Sequence, residues 1–137
     1  MTERPAFVPL RGTTAWQAEC PNDMELLKEK LSRDRLQTMA GRMFGSLVKA
    51  VVDIERELIV VDAELHADQE AYLLEKGSRQ ENIWGINLYP AYNSDDDRFV
   101  EFDSMINLRP WQNNTGRGVD DPTIRETILR IVRTWIA

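Results

Sequence analysis

The chain has 137 residues, 42% of them hydrophobic and 29% charged, and its 17 Lys and Arg against 23 Asp and Glu give a net charge of −6. This length suits one domain, and the acid excess works against phosphate backbones, which bind through cations that release counterions; nucleic acid is therefore not an expected partner. A single cysteine, Cys20, and a single histidine, His66, exclude an internal disulfide framework, Cys-rich zinc sites and HExxH chemistry, and no cofactor or resident metal is predicted.

Residues 1–21 carry Pro5, Pro9, Gly12 and Pro21 without a sustained hydrophobic period, so they read as an irregular N-terminal extension ahead of a single domain over 22–137. The opening Met1-Thr2-Glu3-Arg4-Pro5 lacks a signal-peptide pattern, and no apolar run approaches the roughly 20 residues that span a bilayer. The expected setting is the cytoplasm, with no membrane partner. Met24, Leu27 and Leu31 fit either a helix or a short strand; we take the strand. After Ser32, Leu36, Met39, Ala40, Met43, Phe44 and Leu47 form the apolar stripe of a helix that Ser32 caps and Gly45 ends.

Two alternating runs follow, with Val48, Ala50, Val52 and Ile54 on one side of the first and Ile59, Val61, Ala63 and Leu65 on one side of the second. An antiparallel hairpin around Arg56 and Glu57 then places Val52 opposite Val61 and Lys49 opposite Glu64. The turn lacks Asn-Gly, so a four-residue loop with that same pairing is expected. A second helix has Asp68 as N-cap, Ala71, Leu73 and Leu74 as buried positions, and Gly77 as its stop. Ile83 to Tyr89 reads as a strand closed by Pro90, and Arg98 to Arg109 as the longest strand, closed by Pro110. Asp121 and Pro122 start the last helix, which buries Ile124, Ile128, Leu129, Ile131, Val132, Trp135 and Ile136.

The order (β)αββαββα predicts an α+β fold: a mainly antiparallel sheet of four or five strands with about three helices on one face. A ferredoxin-like βαββαβ unit is one topology for its start.

The opposite sheet face then gathers Lys49, Asp53, Asp62, Glu64, His66, Asn87, Tyr89, Glu101, Asp103, Asn107 and Arg109. Such a face is ordinarily a solvated or partner-covered surface. Its chemical alternative is catalytic, with Glu64, His66, Asp103 and Arg109 as candidates: a one-histidine, two-carboxylate metal set, or Asp103 as a base with Arg109 steering an anion. Asn87, Tyr89, Asn107, Arg109 and Trp111 are the binding candidates. The loop Asn113-Asn114-Thr115-Gly116-Arg117-Gly118 is a poor phosphate cradle, because Asp120 and Asp121 already occupy the helix start. Trp16, Tyr92 and Trp111 sit in irregular segments, Phe99 and Met105 fall on the polar sheet face, and aromatics and Met outside the predicted core mark interfaces.

Four runs, VKAVVDIE from Val48, ELHAD from Glu64, GSRQENIWGINLYP from Gly77 and DSMINLRP from Asp103, together resemble a small prokaryotic domain family of unknown function over roughly residues 24–136. Where that pattern runs to Gly-Asn-Arg-Ser after Arg-Pro, this chain has Trp111-Gln112-Asn113-Asn114-Thr115-Gly116-Arg117. The resemblance implies a compact prokaryotic domain and carries over no site residues. The expectation for function is a small soluble interaction or regulatory module that self-associates or meets another protein through a polar, acidic sheet face. The alternatives are an enzyme, or a small-molecule or metal binder, using Glu64, His66, Asp103 and Arg109, and, by analogy alone, a component of a toxin-antitoxin-like pair.

Overall fold

Ser32 accepts a hydrogen bond from the Arg35 amide and so starts the first helix, as its position predicts. The computed structural model describes residues 24–137; the extension assigned to residues 1–21, with Trp16 and Cys20, lies outside the described residues. The elements are β1 (Glu25–Leu26), α1 (Arg33–Arg42), β2 (Val48–Asp53), β3 (Leu58–Val61), α2 (His66–Glu75), β4 (Ile83–Leu88), β5 (Val100–Glu101) and α3 (Pro122–Trp135). Single 3-10 turns occupy Gln80–Asn82, Met105–Asn107 and Pro110–Gln112. The class and element order follow the sequence.

The five strands form one sheet in the order β1-β3-β2-β4-β5, with every neighbouring pair antiparallel. The opening β1-α1-β2-β3 is a split βαβ unit with β3 inserted. A ferredoxin-like start would return the next strand to the β1 side, whereas β4 pairs with β2. That choice decides where α2 lies. The crossover β1-α1-β2 and the crossover β3-α2-β4 step the same way across the sheet, but they leave from strands of opposite direction. Crossovers of one hand must then place their helices on opposite faces.

The packing agrees. Leu36, Met39 and Ala40 of α1 and Ile128, Ile131 and Val132 of α3 pack on Ala50, Val52, Ile59, Val61 and Ile86. Tyr72 and Leu73 of α2 pack on Val51, Val60 and Ile83 on the other side. The placement of all helices on one face is thereby corrected, and half of the face read as polar is covered. In α2 itself Leu65, not Asp68, is the N-cap, and Ala71 and Leu74 face outward while Tyr72 and Leu73 are buried.

The hairpin has the expected four-residue loop, yet Val52 faces Ile59 and Ala50 faces Val61, a shift of two residues from the predicted pairing. Asp53 explains the shift. Its Oδ1 accepts from the amides of Glu55 and Arg56 at 2.9 and 3.0 Å, and its Oδ2 accepts from the Ser78 hydroxyl at 2.6 Å. The carboxylate thus fixes the loop at Ile54 to Glu57, with Glu57 left-handed at φ 57°. A two-residue shift preserves every side-chain direction, so the apolar faces still coincide, but Lys49 no longer faces Glu64.

The long strand from Arg98 to Arg109 is reduced to Val100–Glu101. Phe99, expected on the polar face, is fully buried in the core beneath α1 and α3, because a turn that bonds the Phe99 amide to the Asp96 carbonyl redirects the chain.

Candidate recognition site

The free edge of β4 is completed by side chains. Where β5 ends, the Asn107 carboxamide takes the place of a strand: its Oδ1 accepts from the Gly85 amide at 2.9 Å and its Nδ2 donates to the Gly85 carbonyl at 3.0 Å. One residue pair further along, the Arg109 guanidinium donates to the Ile83 carbonyl, and its Nε donates to the Ile106 carbonyl at 2.9 Å. The same group lies 4.5 Å from the centre of the Trp84 ring, a stacked cation geometry. Asn114 holds the loop behind them by donating to the carbonyls of Asn107 and Gly118 and accepting from the Asp120 amide.

These contacts correct two sequence assignments. Arg109 is fully buried and its forked donors are spent on the Ile83 and Ile106 carbonyls and the Gln112 side chain, so it does not stand over a site to steer an anion. Asn107, likewise fully buried, is part of the sheet edge and not of a binding surface. Burial pulls the Arg109 pKa below its ordinary value, opposed by the Glu70 charge. Trp111 is 69% exposed on the turn beside it.

The other half of this face stays open at the N-terminal end of α2. Asn87 on β4 has Lys49 of β2 and Glu101 of β5 as its cross-strand neighbours. Its Nδ2 donates to Glu101 Oε1 at 2.9 Å, and that oxygen also accepts from the Tyr89 hydroxyl at 2.8 Å. Beyond it, Asp103 Oδ1 accepts from Arg117 Nε at 2.6 Å. His66, the first residue of α2, bonds the Ile86 carbonyl through Nε2 at 2.7 Å. The result is a polar patch in which Lys49, His66, Tyr89, Glu101, Asp103 and Arg117 surround the buried Asn87.

The electrostatics of the patch follow from its walls. Burial lowers the His66 pKa; the bond to Ile86 opposes this, Lys49 and Arg117 add to it, and Asp103 again opposes. A carbonyl can only accept, so Nε2 carries the proton and the neutral ring presents Nδ1 as an acceptor. Burial and the Glu101 carboxylate push the Tyr89 hydroxyl up to about 12. Asn87 Oδ1 is buried without a hydrogen-bond partner.

Among the described residues no three His, Cys, Asp or Glu side chains gather closely enough to hold a metal ion, so Glu64, His66 and Asp103 do not form the one-histidine, two-carboxylate set. Glu64 is exposed between β3 and α2. Two open grooves lie elsewhere: one is lined by Ser32, Arg33, Asn93 and Asp95, another by Val100, Phe102, Arg125, Leu129 and Arg133. Sequence reasoning missed Arg117, read as part of an unremarkable loop. Its signal is the flanking glycine: a Cβ on Gly118 would stand 3.3 Å from the Phe102 carbonyl oxygen, so the loop approaches the β5 segment closely enough to reach Asp103.

The fold is thus an α+β domain with a five-stranded antiparallel sheet covered on both faces and one polar patch left open. The chain belongs to the family DUF5674, described as proteins of unknown function, whose model matches residues 25–135. No curated protein and no solved structure matches the chain. No helix among the described residues is long and apolar enough to cross a membrane.

Proposed function

We propose that the chain is a small cytoplasmic interaction module that acts by binding and not by turnover, with the patch around Asn87 as its recognition surface. The observation that carries this reading is the commitment of the groups a reaction would need. Arg109 is locked into the β4 edge and Asp103 is paired with Arg117, so the candidate base and the candidate anion-steering cation are both committed to structural contacts. A preorganised, partly exposed set of hydrogen-bonding groups suits recognition. The exposed Met105 and Trp111, at 62% and 69%, support a protein partner or a second copy of the chain, since Met and Trp are enriched at interfaces.

Partner capture with native mass measurement tests this reading. The wild-type chain is expected to retain a partner or form an oligomer of defined mass, and Asp103→Ala to release it without loss of folding. A strict monomer that captures nothing contradicts it.

A further inference from the structure

A groove of about 370 Å³ runs between α3 and the β5 segment. Val100 in its floor packs in the core beneath α1 and α3, so its neighbour Glu101 turns to the patch and the groove lies on the opposite side of the sheet. One face of α3 forms a wall. Arg125, Glu126, Leu129 and Arg133 follow Pro122 at spacings of three, four, seven and eleven residues, which bring all five to one side of a helix. Ile128, Ile131 and Val132 turn the other way, into the core. Phe102 and Leu129 pack against that core but are only partly buried, so an apolar strip continuous with the core runs through the groove.

The charges along this strip are unspent. Asp96 on the far wall is held by Arg98, through Nε at 3.1 Å and a terminal nitrogen at 2.8 Å. Among the described residues, Asp97, Arg125, Glu126 and Arg133 enter no ion pair. Both signs therefore line one groove without meeting, and are left to whatever enters it.

Glu126 and Arg133 indicate what that is. They stand seven residues apart, about 10.5 Å along the helix, too far to pair within one chain, and Leu129 lies between them. Two copies of α3 set antiparallel about Leu129 would bring Glu126 of each to Arg133 of the other. A surface that meets its own copy across a twofold axis has to be self-complementary in this sense. The distribution of charge favours the same face. Eight acidic and two basic residues between Asp53 and Lys76 place a charge equal to the whole chain's −6 in the hairpin and α2, whereas α3 carries three arginines against one glutamate. Two acidic chains meet with least repulsion there.

We infer that a second copy of the chain docks on this groove, α3 against α3 in antiparallel alignment, with Glu126 of each copy paired to Arg133 of the other. The contact lies across the sheet from Asn87 and leaves the patch free for a different partner.

Sedimentation of the full chain over a concentration series, with native mass measurement, tests it. The wild-type chain is expected to form a dimer. Glu126→Arg sets arginine against arginine and Arg133→Glu sets glutamate against glutamate, so each should weaken the dimer about tenfold or more. The double variant restores opposite pairs and should return to within about threefold of wild type. Both side chains are exposed, so the wild-type unfolding midpoint is expected throughout; Glu126→Gln, which keeps the side chain's shape and should weaken the dimer by a smaller factor, serves if a reversal disturbs folding. A strict monomer at millimolar concentration, or a dimer indifferent to these changes, would overturn the inference. Loss in both single reversals without recovery in the double variant would mean that the groove takes something other than an antiparallel copy, and would overturn it as well. Asp103→Ala separates this contact from the patch: a dimer that survives it supports the groove, whereas one that dissociates moves self-association to the patch and overturns the inference.

Discussion

The Asn107 carboxamide pairs with both backbone groups of Gly85, accepting from its amide and donating to its carbonyl at 2.9 and 3.0 Å, and so serves as one residue of a missing strand. Its Nδ2 also donates to the Arg117 carbonyl, which ties the sheet edge to the loop that supplies the patch arginine. Asn107→Ala would leave the Gly85 amide and carbonyl buried and unpaired, at about 1–3 kcal/mol each. Denaturant unfolding is expected to show a loss of roughly 2–4 kcal/mol, and native-state hydrogen exchange a loss of protection at the Gly85 amide. A stability change under about 0.5 kcal/mol, the range of ordinary surface substitutions, would refute the edge-closing role.

Gly85 itself is required by close approach. A Cβ there would lie 2.6 Å from both Cβ and Oγ of Ser104 and 3.2 Å from Ile106 Cγ1. Gly85→Ala should destabilise the fold by about 1–3 kcal/mol through overpacking. Since Ser104 Cβ is itself in the way, Ser104→Ala should give no relief in that background, whereas Ser104→Gly should restore part of the loss. Equal unfolding midpoints for the two double variants would contradict this geometry.

The buried neutral state of His66 makes stability depend on pH. Its folded pKa lies below the unfolded value of 6.5, so between the two the unfolded chain binds more protons, and stability rises with pH. The stabilising difference is present in full above pH 6.5 and is lost as pH falls through that window toward the folded pKa. Relative to His66→Gln, the wild-type chain should lose stability on acidification from about pH 7.5 to about pH 5, with a slope no steeper than ~1.4 kcal/mol per pH unit for one proton. Parallel pH profiles of the two proteins would show that His66 is not held neutral.

Tyr89 should ionise at about 12, far above the ordinary tyrosine value near 10. The ultraviolet difference between the wild-type chain and Tyr89→Phe isolates its titration from the other tyrosines. In Glu101→Gln the midpoint should fall but stay above 10, because burial, the largest single cause, and the Asp103 charge remain. A midpoint near 10 in the wild-type chain would mean that the hydroxyl does not donate to Glu101.

The sequence shows much of this architecture and conceals a definite part. The faces of β2 and β3 were legible because alternation fixes sidedness, and a register error of two residues leaves it intact; the register itself was not, because Asp53 sets it by bonding the Glu55 and Arg56 amides and Ser78. The stripe of α1 is plain in Leu36, Met39 and Ala40, but nothing local in α2 says which face it crosses; that follows from β4 pairing with β2. Asp103 to Arg109 imitates a strand because Asn107 and Arg109 turn toward β4 like strand residues, although they meet it through side chains. Of the candidate site, His66, Asn87, Tyr89 and Asp103 do share the patch, whereas Asn107 and Arg109 are edge closures and Arg117 arrives from a loop without periodicity.

The central claim is that the chemically loaded residues of one sheet face divide into a sealed edge and an open recognition patch. The most direct measurement compares Asp103→Ala and Arg109→Lys for both unfolding midpoint and partner capture. Asp103→Ala is predicted to keep the wild-type midpoint and lose capture. Arg109→Lys, which gives up the forked contacts and the Trp84 stack, is predicted to lose about 2–4 kcal/mol of stability and, under conditions where it is folded, to capture as the wild-type chain does. Capture that survives Asp103→Ala, or that fails in folded Arg109→Lys, would contradict this division.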